Sequence, residues 1–291
     1  MAGYTSRGIE YDAARLHVFG PSPVHISVPH GWHRPHQEGL LCHFVYAVPP
    51  RGSFCSLGQG LCVSSPERCF IELAQTLDLD ELILLGFELC GNYVFTASDG
   101  DGYTEIAVPL SSTAAMRKMV DASSGMPGAP KAREALRWLL DKSRSPMETI
   151  VVQRLMRPVR SGGYGLEKPQ SNAPFELGKV AAKMAGRSSF TCDLIWPERR
   201  VVLEYDSKEH HGDPEQAAYD AERASIIEFD GGSLVSVTPR IEQDFARFDA
   251  MARRLFKLLG ARYRKPTPEQ MRKKFELRRK LYAAEQHIKT L

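Results

Sequence analysis

Residues 192–211 read CDLIWPERRVVLEYDSKEHH. Two β-rich runs, SFTCDLIW and VVLEYD, flank the turn PERR and predict an antiparallel hairpin. Positions 193 and 204 are symmetric about the point between Glu198 and Arg199. An even-numbered turn centred there therefore sets Asp193 directly across from Glu204. Opposed residues have Cβ atoms about 5 Å apart, and like charges at that spacing are destabilising. Side-chain alternation adds Asp206 and Lys208 to the face of Glu204. A divalent cation would offset the repulsion, and Mg²⁺ takes such oxygen ligands while keeping several waters. One of those waters, deprotonated, could attack a phosphodiester. His210 and His211, just past the acidic strand end, suit proton donation or water positioning. The same charges also fit a solvent-facing edge strand whose acids pair with Arg199, Arg200 and Lys208.

Outward from the hairpin, the order of elements is informative. Ser145-Pro146-Met147-Glu148 is a helix start, with Ser at the N-cap, Pro at the first position and Glu at the third. Glu148 thus reads as the capping-box acid of its own helix. Pro158 stops this helix, and the loop SGGYG leads to a strand around 173–177. After the hairpin, Asp213-Pro214-Glu215-Gln216 starts a helix that ends before Gly231-Gly232. SLVSVTP is a strand, and IEQDFARFDAMARRLFKLLG predicts one last long helix. Helix, three strands, helix, strand, helix is an α/β order. Upstream, RLHVFG, PVHISVP and LLCHFVYAVP read as strands, and SSPERCFIELAQTL and DLDELILLGFELCG as helices. The expected organisation is α+β overall: a mixed α+β domain over 1–143, an α/β domain over 144–262, and a basic C-terminal helix over 263–291.

Composition narrows the class. The 291 residues are 43% hydrophobic and 25% charged, as in soluble globular proteins. No apolar run approaches a membrane span, and the first twenty residues lack a signal-peptide core, so a cytoplasmic protein without a membrane partner is expected. The six cysteines form no C-x-x-C pair and read as small buried apolar residues. His30, His33 and His36 lie in or beside turn-rich GWHRPHQEG, where no Cys or acidic partner is placed to finish a metal site, and read as solvated loop histidines. The net charge is +3, yet twelve Lys and Arg fall between Arg253 and Lys280 against Glu269 and Glu276. Polyanions are natural partners for such an arm, which reads equally as a solvated helix face.

The run CDLIWPERRVVLEYDSKEHH, with Asp220 and Arg223 in the helix that follows, resembles the DUF559 family. That family belongs to the very-short-patch-repair-like branch of the PD-(D/E)XK nuclease superfamily. The resemblance covers about residues 145–260 and implies a restriction-endonuclease-like αβββαβ domain. It implies Mg²⁺ or Mn²⁺ held by Asp193 and Glu204 with Glu148 as third acid, and puts Asp206, Lys208, His210 and His211 in the catalytic stretch. Ser207 stands where the family usually has Gly, and Asp206 where the superfamily has its motif Lys. The N-terminal part resembles, more faintly, the middle domain of AbiEi-type antitoxins.

Two functions follow as expectations. One is a Mg²⁺-dependent DNA endonuclease or nickase of DNA repair or phage defence, with Arg223, Lys273, Lys274, Arg278 and Arg279 on phosphates, which position a substrate without reading its sequence. The other is a catalytically inactive nuclease-fold DNA binder or antitoxin-like regulator. A third reading takes the apolar stripe Leu277, Leu281, Ala284 and Ile288 as a docking face for a protein partner or a second copy. Such a stripe more often packs on its own domain.

Overall fold

The structure, a computed structural model, describes residues 24–29, 40–45, 48–58, 61–96, 102–206 and 214–290. The chain forms two compact units, Met1–Pro50 and Arg51–Leu291. This division falls well before the change at 143 read from the sequence. In the first unit, β1 (Val24–Pro29) and β2 (Leu40–Val45) pair in parallel. RLHVFG and the histidines His30, His33 and His36 lie outside the described residues.

The second unit is mixed α and β. It opens with the antiparallel pair β3 (Phe54–Gly58) and β4 (Leu61–Ser64), then α1 (Pro66–Leu73) and α2 (Leu79–Cys90). Ser65 caps α1, and Asp78 with Glu81 forms a reciprocal capping box on α2. Eight of the twelve residues of α2 are buried, as the apolar run from Leu82 to Phe87 requires. A short antiparallel pair follows, β5 (Tyr93–Phe95) with β6 (Tyr103–Glu105). Helices α3 (Thr113–Ala122) and α4 (Ala129–Ala135) lie on either side of the Ser-, Gly- and Pro-containing stretch 123–128. Met116, Met119, Val120, Ala129, Ala132 and Ala135 are buried there, so small residues serve close packing rather than flexibility. The cysteine expectation holds for Cys90 and Cys192, whereas Cys55 and Cys62 on β3 and β4 are exposed.

The remaining elements follow the expected order with one insertion and one division. They are α5 (Pro146–Met156), β7 (Gln170–Glu176), α6 (Lys179–Ala185), β8 (Ser189–Trp196), β9 (Val201–Tyr205), α7 (Pro214–Phe229) and β10 (Ser233–Val237). The long helix expected from Ile241 is two, α8 (Pro239–Gln243) and α9 (Phe245–Leu258). Asp244 divides them: its backbone is extended and its carboxylate accepts from the N–H of Arg247, starting a new helix. Last comes α10 (Pro268–Ile288), capped by Thr267 and Gln270. Among the described residues, no helix is long and apolar enough to cross a membrane.

Strands order as β10-β9-β8-β7, with β10 parallel to β9 and the other neighbours antiparallel. Hydrophobic side chains fill both faces. One core joins α2, α5, α9 and α10 to Leu194, Trp196, Val201, Leu203, Val235 and Val237. The other, smaller, joins Phe175, Phe190, Cys192, Ile195 and Val202 to Ile226 and Ile227 of α7. Leu277, Leu281, Ala284 and Ile288 are buried in the first core, so the apolar stripe of α10 packs on its own unit.

The SGGYG loop supports this packing. Gly162 has φ +90, and a Cβ there would stand 2.2 Å from the carbonyl oxygen of Lys273 in α10. Glycine is required twice over, by backbone conformation and by contact. Gly162→Ala is expected to cost about 2 kcal/mol or more, read as a lower urea midpoint at unchanged slope.

Candidate active site

The hairpin has the register expected of it. Leu194 pairs with Leu203, Ile195 with Val202 and Trp196 with Val201, so one further step brings Asp193 opposite Glu204. The β7–β8 register likewise sets Asn172 opposite Asp193, and Ser236 of β10 stands beside Glu204. A polar row, Asn172–Asp193–Glu204–Ser236, therefore crosses the sheet between apolar rows. Trp196 anchors the hairpin, its indole N–H donating to the carbonyl of Glu167 (2.9 Å).

Regular alternation stops at this row. Cys192 belongs to the smaller core, yet Leu194 belongs to the larger one and Ile195 to the smaller. Strict alternation would put Cys192 and Leu194 on the same face. The interruption lies at Asp193, and its neighbour Asn172 has φ 43, in the left-handed region. The ladder to β9 ends there as well: the carboxylate of Asp193, rather than a main-chain carbonyl, accepts from the N–H of Tyr205 (2.7 Å). The expectation of two acids projecting from one regular face is thus modified. Asp193 sits at a break in the sheet, between helices packed on opposite faces.

Glu148 reaches it from α5 on the larger core's side. Only 8% exposed, Glu148 accepts from the N–H of Arg144 (3.0 Å) and the side-chain amide of Asn172 (2.9 Å). The hydroxyl of Ser145 donates to its other oxygen (3.3 Å) while capping its N–H. Both roles read for Glu148 in the sequence, helix-start acid and neighbour of Asp193, coexist. From the opposite side, Arg223 of α7 donates to Glu204 (2.7 Å) and to the carbonyl of Thr191 (2.7 Å).

Burial raises all three carboxyls. Glu148 and Glu204 are each pushed up to about 7, first by burial and then by the negative charge of Asp193. Asp193 is also raised by burial, against the opposing pull of the Tyr205 N–H and the Arg223 guanidinium. One central charge is therefore felt by acids from two other elements. Groups so perturbed store unfavourable free energy in their ionised form. Folding raises these pKa values, so their stabilising contribution is present at low pH and is lost as pH rises through about 7. Metal-free protein is expected to melt several degrees lower at pH 8 than at pH 5.5 in a calorimetric scan. Millimolar Mg²⁺ or Mn²⁺ should recover the difference at pH 8 and much less at pH 5.5. Equal stabilisation at both pH values would contradict this reading of the carboxylates.

The other expected site residues divide into three groups. Lys208, His210 and His211 lie outside the described residues, and Asp206 is half-buried at the end of β9, its N–H donating to Val237 (2.9 Å). Lys274 and Arg278, expected on phosphates, are held within the protein. Lys274 is buried against the ring of Tyr164 (3.0 Å to its centre) and donates to Gly163, while Arg278 pairs with buried Glu242. They lie on the face that α10 turns to the core, which a count of basic residues cannot distinguish from the outer face. Lys273 pairs with Glu269 (3.0 Å), and exposed Arg279 lines a shallow groove with Lys265, Arg272 and Phe275. Asn172 and Arg144 were not singled out by sequence. The one signal for Asn172 is its residue type, since Asn adopts left-handed backbone more readily than most.

Among the described residues, no three His, Cys, Asp or Glu side chains converge into a ready metal cage. The donors of Glu148, Asp193 and Glu204 are nonetheless all hard carboxylate oxygens, and the Arg223 guanidinium already stands where positive charge is needed. No protein-family model, no curated protein and no solved structure matches the chain.

Proposed function

We propose that the chain is a divalent-metal-dependent nuclease acting on DNA, with a restriction-endonuclease-like core of the DUF559 type running from α5 through β10. The observation that carries this reading is the convergence of three carboxylates: Glu204 stands across the hairpin from Asp193, and Glu148 is bonded to Asn172, which stands opposite Asp193 on the other strand. Three carboxylates from separate elements, at a break in the sheet, are costly to the fold and useful mainly to a cation. Mg²⁺ or Mn²⁺ would be held by Asp193, Glu204 and Glu148, supplying a water of lowered pKa and charge neutralisation at a phosphoryl oxygen. The chain's own groups do the positioning. Asn172, Ser145 and the Arg144 N–H hold Glu148, the Tyr205 N–H holds Asp193, and Arg223 holds Glu204. His210 and His211 are the proposed proton donors.

The second reading keeps the same fold as a non-catalytic DNA binder or antitoxin-like regulator. The Arg223–Glu204 pair favours it, because an internal cation already partly neutralises the acids. Incubating supercoiled plasmid, linear duplex, mismatched duplex and single strands with the protein separates the two. Nicking or cleavage that needs Mg²⁺ or Mn²⁺ and stops with EDTA is expected of the nuclease. DNA binding indifferent to EDTA, with no cleavage of any substrate, would leave the binding reading.

A further inference from the structure

Next to the carboxylates lies a cleft of about 270 Å³, whose walls include Asn92, Glu105, Lys142, Arg144 and Asn172. Its frame is fixed by main-chain bonds. The N–H of Asn92 donates to Ser143 (2.7 Å), that of Lys142 to Cys90 (2.9 Å), and that of Ile106 to Asn92 (2.9 Å). The side-chain amide of Asn92 donates to the carbonyls of Ile106 (3.0 Å) and Ala107 (3.1 Å). The cleft and the acidic site meet at Glu148. Asn172 donates its amide to Glu148, and Arg144 its N–H to the same carboxylate oxygen.

Two features make this cleft more than a crevice. Among the described residues only Lys142, Asn172 and Arg200 are non-glycine residues at positive φ, and two of these three line it. Left-handed backbone is unfavourable for a long side chain such as Lys, and strain of this kind persists where the surroundings and a function hold it. The second feature is unspent charge. The side chains of Lys142 and Arg144 are exposed and, among the described residues, make no ion pair or hydrogen bond. Arg223 and Arg200, by contrast, are committed to Glu204 and Asp230. The positive charge of Arg144 also reaches Asp193, helping to hold it ionised. Glu105 is the single acid of the lining.

An acidic cluster repels a polyanion, so a nuclease needs cations beside it that its own acids have not consumed. We propose that this cleft is a phosphate subsite, in which Lys142 and Arg144 hold a backbone phosphate of the DNA strand whose neighbouring phosphodiester lies against Glu148, Asp193 and Glu204. The subsite rests on the nuclease reading for its purpose, but its ligand chemistry can be tested separately.

The test is equilibrium binding of a fluorescein-labelled duplex and its single strand to full-length protein carrying Asp193→Asn, by anisotropy over a salt series in EDTA. Lys142→Gly and Arg144→Gln are each expected to reduce the slope of log affinity against log salt by about 0.9 for duplex and about 0.7 for single strand. Together they should weaken binding on the order of 10-fold, whereas Glu105→Gln should strengthen it. Lys142→Gly carries a second readout. Glycine relieves the left-handed strain, so melting temperature should rise while affinity falls, a divergence that a merely structural lysine would not produce. Unchanged slopes in the double variant, or a protein that binds neither DNA, would overturn the subsite. Wild-type protein that binds with the expected slopes yet never cuts would overturn the nuclease reading and leave the phosphate subsite standing.

Discussion

Asp193→Asn is expected to reduce Mg²⁺-dependent DNA cleavage about 10³-fold, the scale typical of losing one preorganised charge at a reacting centre. The loss should fall in kcat. Affinity for DNA should hold or improve, because one negative charge facing a polyanion is gone. The variant also bears on the acids beside it. With the central charge removed, the carboxyls of Glu148 and Glu204 lose their second cause of elevation and move down toward the ordinary carboxylate range. The fall in melting temperature between pH 5.5 and pH 8 should flatten accordingly, and Mg²⁺ should cease to stabilise the protein. Asparagine keeps the size of the side chain and an oxygen for the Tyr205 N–H, so the fold is expected to survive. Asp193→Asn cutting as well as wild type, with an unchanged pH profile of stability, would remove the carboxylate cluster from the function.

The largest stability effect is expected at Glu242, which takes no part in the proposed chemistry. Its side chain is wholly buried and accepts from Arg154 (2.5 Å), Arg278 (3.2 and 3.4 Å) and Tyr282 (2.5 Å). Arg154 also donates to the main-chain carbonyl of Glu242 (2.9 Å) and stacks on Phe248 at 3.5 Å. Three helices, α5, α8 and α10, are joined through this one carboxylate. Glu242→Ala leaves two guanidinium groups without their anion, and breaking such a pair costs about 3–5 kcal/mol. Urea unfolding followed by circular dichroism would read this as a lower midpoint at a similar slope. Replacing the pair with apolar residues, Glu242→Leu with Arg154→Met, should recover much of the loss, because desolvation of both charges is then avoided. A loss under about 1 kcal/mol in the single variant would mean that water reaches the network.

What could be read from sequence follows the range of the interactions concerned. The hairpin register was legible because it depends only on symmetry about the PERR turn, and Ser145, Pro146 and Glu148 announced α5 by local capping chemistry. The order of strands and helices from α5 to β10, apart from the inserted α6, was legible for the same reason. The break in alternation at Asp193 was not, since it reflects the main-chain twist of Asn172 in the opposite strand. Helices α3 and α4 were missed because they are short and their buried side chains are largely Ala and Met, whose role shows only once the partners that receive them are known. For α10 the charge count was correct, and the direction of each charge was not available. Lys274 and Arg278 face Tyr164 and Glu242 rather than solvent, a fact set by residues more than thirty positions away. Helix α9 began one residue after Asp244 because a single capping carboxylate outweighed the continuing apolar periodicity.

The seating of α10 has a consequence for how the chain is made. Leu281, Ala284 and Ile288 close the same core that holds Phe70, Leu82 and Phe87, and His287 meets Glu81 across 206 positions of sequence. Synthesis delivers α2 long before its partner exists, leaving the apolar run Leu82–Phe87 without its cover. The second unit cannot complete its core as a nascent fragment, and its sheet and acidic row must assemble around an open seam until residues 268–288 emerge. A ribosome stalled before that helix would hold this core open, while one stalled beyond it would hold the core closed, so α10 acts as its latch.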